Sequence, residues 1–248
     1  MINNKLPINY KLFHFDEIES TMLTLKEMAF QGVEVGTIVC AKKQKQGRGR
    51  HGREWISPLG NLYFSYLRKA ENKNSNSVFA PVFIVSIALA KAINLISKNK
   101  IIPMLKWPND VLVNNSKLAG ILIESFVDKD NRNLLNIGVG VNVLSHPSNT
   151  IYPATNLKNE GLEITSNELL ICFFNCLNMV EDILVNKGLN EIFKIWQEYS
   201  YKIGTKISVK IGNKKITGSY NGIDEKGSLI LNINNKNIKI LTGEIFVL

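Results

Sequence analysis

Residues 134–143 read Leu-Leu-Asn-Ile-Gly-Val-Gly-Val-Asn-Val, and no other stretch narrows the choice of folds as far. In an extended strand Gly138, Gly140 and Asn142 fall on alternate positions and share one face. Two glycines on one strand face mark a place where something lies close against the backbone, either a packed neighbour or a ligand. Residues 117–127, which contain Leu118-Ala119-Gly120-Ile121-Leu122, read as the preceding strand, with a hairpin loop over 128–133. A sheet with a bare glycine stripe is therefore the frame into which the rest of the chain must fit.

Residues 10–15 alternate in polarity and read as a strand. Ser20 or Thr21 is a suitable N-cap for a helix running to about Gly32, and capping alone would explain both hydroxyls. Residues 36–42 form a β-rich run, expected as a central strand, which delivers Gln44 and the stretch Gly47-Arg48-Gly49-Arg50-His51-Gly52-Arg53-Glu54-Trp55. Another strand is expected over 61–67, a loop over 69–77, and a buried helix over 78–97. Short strands are read at 104–106 and 111–113, around Lys106-Trp107-Pro108-Asn109-Asp110. Residues 145–161 look irregular. Thr165-Ser166-Asn167-Glu168 is a capping box that starts an amphipathic helix ending near Gly188, followed by a second helix over about 190–200. After Gly204 the texture changes to four short runs with strand character, at 206–211, 214–220, 228–233 and 238–241, separated by Gly- and Asn-rich turns. That rhythm predicts a small β-barrel or sandwich. The fold class is thus α/β of the α+β type: a mixed sheet flanked by helices in residues 1–202 and a small β unit in residues 203–248.

The 248-residue chain carries a net charge of +9, which suits nucleic acid, a nucleotide or an acidic protein partner. Cys40, Cys172 and Cys176 form no CxxC pair, and His14, His51 and His146 are scattered, so no metal-ligand set is expected; the thiols read as the reduced cysteines of a cytoplasmic protein. The N-terminus lacks a signal-peptide pattern, and the apolar run at 78–90 is too short to span a bilayer.

The candidate site gathers Ser20, Thr21, Gln44, the glycine–arginine loop, Asn109, Asp110, Lys117, Gly120 and Asn142. None is a nucleophile paired with a base. Arg48, Arg50, Lys106 and Lys117 are donors to an anion, and the planar arginine fork matches carboxylate and phosphate oxygens. Ser20, Thr21 and Gln44 can hold a neutral head group. Asp110 could position Mg²⁺ or an incoming amine. Such a set suits catalysis by positioning and charge stabilisation, as at phosphorus. Neither a P-loop nor a Rossmann glycine fingerprint is present. A nucleic-acid-binding reading of the basic loop predicts interleaved aromatics, and the loop holds only Trp55.

Gln44-x-x-Gly47-Arg48-Gly49-Arg50-x-Gly52-Arg53-x-Trp55, Lys106-Trp107-Pro108-Asn109-Asp110, Lys117-Leu118-Ala119-Gly120 and Gly138-x-Gly140-x-Asn142, together with Glu19-Ser20-Thr21, resemble the motifs of biotin protein ligases in order and spacing, from about residue 10 to 248. The resemblance implies an SH3-like C-terminal barrel and a two-step reaction, in which biotin is activated with Mg²⁺ and ATP as biotinyl-5′-AMP and then passed to a lysine. It assigns catalysis to Arg50, Lys117 and Asp110. Biotin contacts fall to Ser20, Thr21, Gln44, Arg48, Gly49, Arg50, Lys117 and Gly120. ATP contacts fall to Gly47, Arg50, Trp55, Lys106, Asn109 and Asn142, with residues 145–156 as an ordering loop. No protein-bound metal site is implied. The implied partner is the biotin carboxyl carrier domain of an acyl-CoA carboxylase; no membrane partner and no DNA are expected, because only about ten residues precede the first predicted strand and no helix-turn-helix is present. The family includes both dimers and monomers, so homodimer formation stays open. Met22 departs from the Asn common after Ser-Thr in the family, and His51 stands where another basic or small residue is common. A lipoate ligase, the sister enzyme, is expected to carry a different Arg/Gly-rich signature with His and Asn.

Overall fold

The structure, a computed structural model, describes residues 5–70, 79–148, 150 and 152–247. Most of the loop expected at 69–77 lies outside the described residues. Seven strands make one mixed sheet: β1 (Lys11–Ile18), β2 (Thr37–Gln44), β3 (Leu62–Lys69), β4 (Met104–Lys106), β5 (Asp110–Val113), β6 (Ser116–Val127) and β7 (Asn133–Val141). Their order is β1-β2-β3-β7-β6-β5-β4. Only β1 and β2 run parallel; every other neighbouring pair is antiparallel. The β1–β2 crossover is made by α1 (Thr21–Phe30), as a parallel connection requires.

Strand alternation divides the side chains between two faces. Ile38, Cys40, Leu62, Phe64, Tyr66, Ile137 and Val139 join the large core under α2 (Ala80–Ile96) and α3 (Ser166–Lys187). Val39, Leu67 and Leu134 turn the other way and pack with Leu25 and Ala29 of α1. α2 is buried almost all round, which explains its uniformly apolar sequence. α3 starts at the expected capping box, where Thr165 accepts from the Glu168 backbone and Glu168 returns the bond. Gly188, at φ 79°, ends it and turns the chain into α4 (Leu189–Glu198), whose Ile192, Phe193 and Trp196 are buried. Since α1 covers only part of its face, the stretch of sheet beside it is left for the site.

The C-terminal unit has five antiparallel strands, β8 (Lys206–Ile211), β9 (Lys214–Ile223), β10 (Leu229–Ile233), β11 (Lys236–Ile240) and β12 (Glu244–Val247), in the order β11-β10-β9-β8-β12. Asn234 and Asn235, at φ 48° and 64°, make the tight β10–β11 turn. β12 is one strand more than the four runs read from the sequence; it is short and gains its hydrogen bonds from β8, a partner distant in sequence.

Residue 202 lies between α4 and β8, yet the apolar core runs across it. Ile207, Val209, Tyr220, Leu229 and Leu231 belong to the same contiguous cluster as α2 and the sheet. Trp107 is 1% exposed and donates its Nε1 proton to the Gly227 carbonyl at 3.0 Å. Its ring lies 5.8 Å from Phe79, and Phe83 stacks on Trp196 at 4.6 Å. A Cβ on Gly227 would come within 2.9 Å of both Phe79 and Phe83, so glycine is what lets the barrel seat this closely.

Candidate active site

The floor of the site is the glycine stripe. Gly120 of β6 faces Gly140 of β7 across the ladder, and Leu122 faces Gly138. A Cβ on Gly140 would lie 2.5 Å from Trp55 Nε1, one on Gly120 3.0 Å from Trp55 Cζ3, and one on Gly138 2.7 Å from Met22 Sδ. The bare stripe is thus where the Trp55 indole and the Met22 thioether lie against the sheet.

The glycine–arginine stretch is a tight hairpin above this floor. Trp55 N donates to Gly47 O at 2.8 Å and Gly49 N to Arg53 O at 2.8 Å. His51 and Gly52, at φ 58° and 72°, turn its tip through the left-handed region. Gly47 is buried under this closure; a Cβ there would meet Trp55 O at 2.2 Å. Arg48 forks onto Glu124 of β6, with Nη1–Oε2 at 3.1 Å and Nη2–Oε1 at 2.8 Å. Arg50 reaches down to Asn109 Oδ1 at 3.1 Å, and Asn109 Nδ2 is fixed by Ile121 O at 2.7 Å.

At one end of the cleft lie neutral polar groups. Gln44 Oε1 accepts from Thr21 N at 2.9 Å and from Thr21 Oγ1 at 3.1 Å; Gln44 Nε2 donates to Ser57 Oγ at 2.9 Å. Thr21 Oγ1 also meets Ser65 Oγ at 2.7 Å. Ser20 stands at the N-cap position of α1 with extended φ and ψ, but its side chain makes no capping bond. Its hydroxyl is buried with no hydrogen-bond partner, and so is Trp55 Nε1. Buried polar atoms are nearly always paired, so both groups have unused hydrogen-bonding capacity at the cleft. Capping does not account for Ser20.

At the other end lie the cations. The β4–β5 hairpin pairs Lys106 with Asp110, and β5–β6 pairs Asp110 with Gly120, which brings Lys117 alongside. Lys117 Nζ is 2.6 Å from Asp110 Oδ1, and Lys106 Nζ is 3.9 Å from Asp110 Oδ2. Lys106 also stands 4.2 Å from the centre of the Tyr152 ring, and Lys117 5.4 Å from that of Trp55. Burial pulls the Lys106 pKa down, Asp110 opposes this and Lys117 adds to it. Burial likewise lowers that of Arg50, against the pull of Asp110 and Glu244.

Ser20, Thr21, Gln44, Arg48, Gly49, Arg50, Trp55, Lys106, Asn109, Asp110, Lys117 and Gly120 therefore line one cleft. Two residues expected at a nucleotide do not line it. Gly47 closes the hairpin behind Trp55. Asn142 follows the end of β7 and is 3% exposed; its Nδ2 donates to Thr155 O at 3.0 Å and lies 3.5 Å from Lys117 O. Its work is to fix the backbone around Lys117. Sequence reasoning missed Met22 as a contact of the floor, Ser65 behind Thr21, and Glu244 at the cationic end; Tyr152 falls in the segment 145–156 expected there, without being singled out. Ser65 alternates with core residues on β3 and could have been found by period; nothing local marks Glu244.

Comparison with known proteins gives a consistent result. The model of the "Biotin/lipoate A/B protein ligase family" matches residues 14–142, and that of the "Biotin protein ligase C terminal domain" matches residues 202–248. The bifunctional ligase/repressor BirA of Bacillus subtilis is 30% identical over 246 residues, covering 94% of this chain and 73% of that protein. The biotin–[acetyl-CoA-carboxylase] ligase of Paracoccus denitrificans is 29% identical, covering 81% of this chain and 85% of that one. A solved biotin protein ligase from Aquifex aeolicus, in complex with biotin and ATP, superposes with a TM-score of 0.81 at 29% identity, covering 95% of this chain and 97% of its own.

Proposed function

The chain belongs to the biotin/lipoate A/B protein ligase family as a biotin protein ligase, and on that premise we propose that it activates biotin as biotinyl-5′-AMP and transfers it to a lysine of the biotin carboxyl carrier domain of an acyl-CoA carboxylase. In the first step a carboxylate oxygen of biotin attacks the α-phosphorus of ATP; a P–O bond forms and pyrophosphate leaves. In the second the amine of the acceptor lysine attacks the carbonyl carbon of the mixed anhydride. A C–N bond forms, AMP leaves with the electrons of the C–O bond, and the amine gives up its proton to solvent.

The observation that carries this reading is the division of one cleft into a neutral hydrogen-bonding end and a cationic end, joined by a glycine floor. Ser20, with Thr21 and Gln44 set by their mutual bonds, would hold the polar ring end of biotin. Met22 and Trp55 on the glycines give an apolar surface for the middle of the ligand. Lys117, Lys106 and Arg50 converge where the biotin carboxylate and the α-phosphate would meet, and preorganised cations there stabilise the charge that builds during attack. Asp110 aims Lys117 and offers an acceptor to the incoming amine. The backbone of residues 47–55, folded over the floor, would keep water from the anhydride. The proposed domain division stands at residue 202, between α4 and β8, with the site above the sheet and the barrel at its cationic end.

Among the described residues no group of three or more His, Cys, Asp or Glu could hold a metal. Mg²⁺ commonly takes one or two carboxylates and the rest of its shell from phosphate and water; Asp110, now paired with Lys117, is the carboxylate that would serve it beside the ATP phosphates. When bound, Mg²⁺ neutralises charge on the leaving pyrophosphate. No helix among the described residues is long and apolar enough to cross a membrane. The need for ATP and the three free, buried cysteines support a cytoplasmic location.

The test is incubation with biotin, Mg·ATP and a purified carrier domain, read by intact mass. The reading expects one biotinyl group on the acceptor lysine and none when that lysine is arginine; an unmodified wild-type carrier would contradict it. Ser20→Ala gives an independent check. Removing a buried hydroxyl that has no partner should cost little stability while weakening biotin binding about tenfold. Titration calorimetry and a thermal melt measure the two, and undiminished affinity would take Ser20 out of the pocket.

A further inference from the structure

Glu244 is the first residue of β12, and its carboxylate leaves the barrel to line the cleft. Oε1 lies 2.5 Å from Arg53 Nη1, beside the tip of the glycine–arginine hairpin. Oε2 accepts from the Tyr152 hydroxyl at 3.0 Å. The two partners belong to the two pieces of chain that flank the cationic end. Arg53 is bound to the loop through its carbonyl, which accepts from Gly49 N at 2.8 Å. Tyr152 covers Lys106 with its ring, and the residues after it run beside Lys117: Lys117 N donates to Pro153 O at 2.7 Å and Thr155 N to Lys117 O at 3.0 Å.

Phe246, two residues on from Glu244, sets its ring 5.0 Å from that of Tyr152. The hairpin is tied to the sheet by Arg48 and Glu124 and to the β4–β5 turn by Arg50 and Asn109; Arg53–Glu244 is the tie that leads into the barrel. Burial works against ionisation of Glu244, but the hydrogen bonds from Arg53 and Tyr152 outweigh it and hold the carboxyl below the usual range. The frame behind it is fixed, because the barrel is seated through Trp107 and Gly227. Arg53 is half exposed, and an ion pair of that kind adds little to global stability. What it sets is the position of the loop.

We propose that Glu244 is a positioning residue through which the barrel holds both flanking segments over the cleft at once, one carboxylate oxygen to each. The inference rests on the reading of the cleft as the adenylate site. It makes the barrel part of the device that retains the reactive intermediate.

The experiment compares wild type with Glu244→Ala, Glu244→Gln and Tyr152→Phe. Release of biotinyl-AMP from the preformed complex is followed by rapid filtration. Acrylamide quenching of tryptophan fluorescence is read on the same proteins without ligand. Of the three tryptophans, Trp107 and Trp196 are each 1% exposed, so a rise in quenching reports Trp55. Glu244→Ala should speed adenylate release about tenfold and raise quenching, with the melting temperature unchanged. Glu244→Gln, which keeps an acceptor for Tyr152 but loses the ion pair, should fall between Ala and wild type, as should Tyr152→Phe. Wild-type retention and quenching in Glu244→Ala would overturn the proposal, and so would a lowered melting temperature with retention intact. If the wild type forms no adenylate, the functional reading is what fails. The quenching arm then decides the tie alone: raised quenching in Glu244→Ala upholds it, and unchanged quenching overturns it.

Discussion

Replacing Lys117 with Ala is expected to slow adenylate formation by about 10²- to 10³-fold, the range seen when one preorganised charge-stabilising donor is removed. Lys117 is a single cation, but its position is unusually well determined. Asp110 holds its ammonium at 2.6 Å, Asn142 and the residues after Tyr152 fix its backbone, and Gly120 leaves room for its Cε and Nζ, each 3.5 Å from where a Cβ would be. Its side chain is 29% exposed, so the fold should survive the change. Asp110 would be left with Lys106, 3.9 Å away. Single-turnover formation of biotinyl-AMP is the measurement, with biotin and ATP saturating. A first-step rate within tenfold of wild type would remove Lys117 from the reacting end.

The second large effect is on stability. Trp107→Ala is expected to cost about 3–5 kcal/mol, as for other large aromatic deletions from a packed core. The residue sits at the seam where the β4–β5 hairpin, α2 and the barrel meet, and truncation also leaves the Gly227 carbonyl without its donor. Since Lys106 and Asp110 flank it in the same hairpin, activity should fall along with stability. Denaturant unfolding at fixed pH reads the effect; a loss below 1 kcal/mol would mean that the barrel is seated by other contacts. The contrast with Ser20→Ala is instructive, since both residues are buried and only one has its polar group satisfied.

What the sequence revealed follows from where each signal is stored. The alternation of Gly138 and Gly140 is local, and it marked a strand face with something lying close against it, which proves to be Trp55 and Met22. The capping box at Thr165–Glu168 and the helix stop at Gly188 are likewise written within a few residues, and both elements form there. Ser20 shows the limit of such reasoning: its backbone adopts the cap conformation the sequence suggests, while its hydroxyl faces the cleft unpaired. Asn142 shares the glycine periodicity on paper, but β7 ends at Val141 and the asparagine side chain donates to the Thr155 carbonyl, behind the floor. β12 and Glu244 were not legible because their partners, β8, Arg53 and Tyr152, are remote in sequence and meet them only once the barrel has seated. The residues that make up the cleft were mostly readable; the ties that hold it shut were tertiary.

The most direct test of the central claim is ATP–pyrophosphate exchange by the purified protein with Mg²⁺, comparing biotin, lipoate and no added acid. The two-ended cleft predicts exchange that depends on biotin and is absent with lipoate or without acid. Exchange supported by lipoate alone would contradict the assignment of the neutral end to the ring of biotin. Absence of exchange with either acid, from a protein that melts cooperatively, would contradict the adenylation chemistry itself.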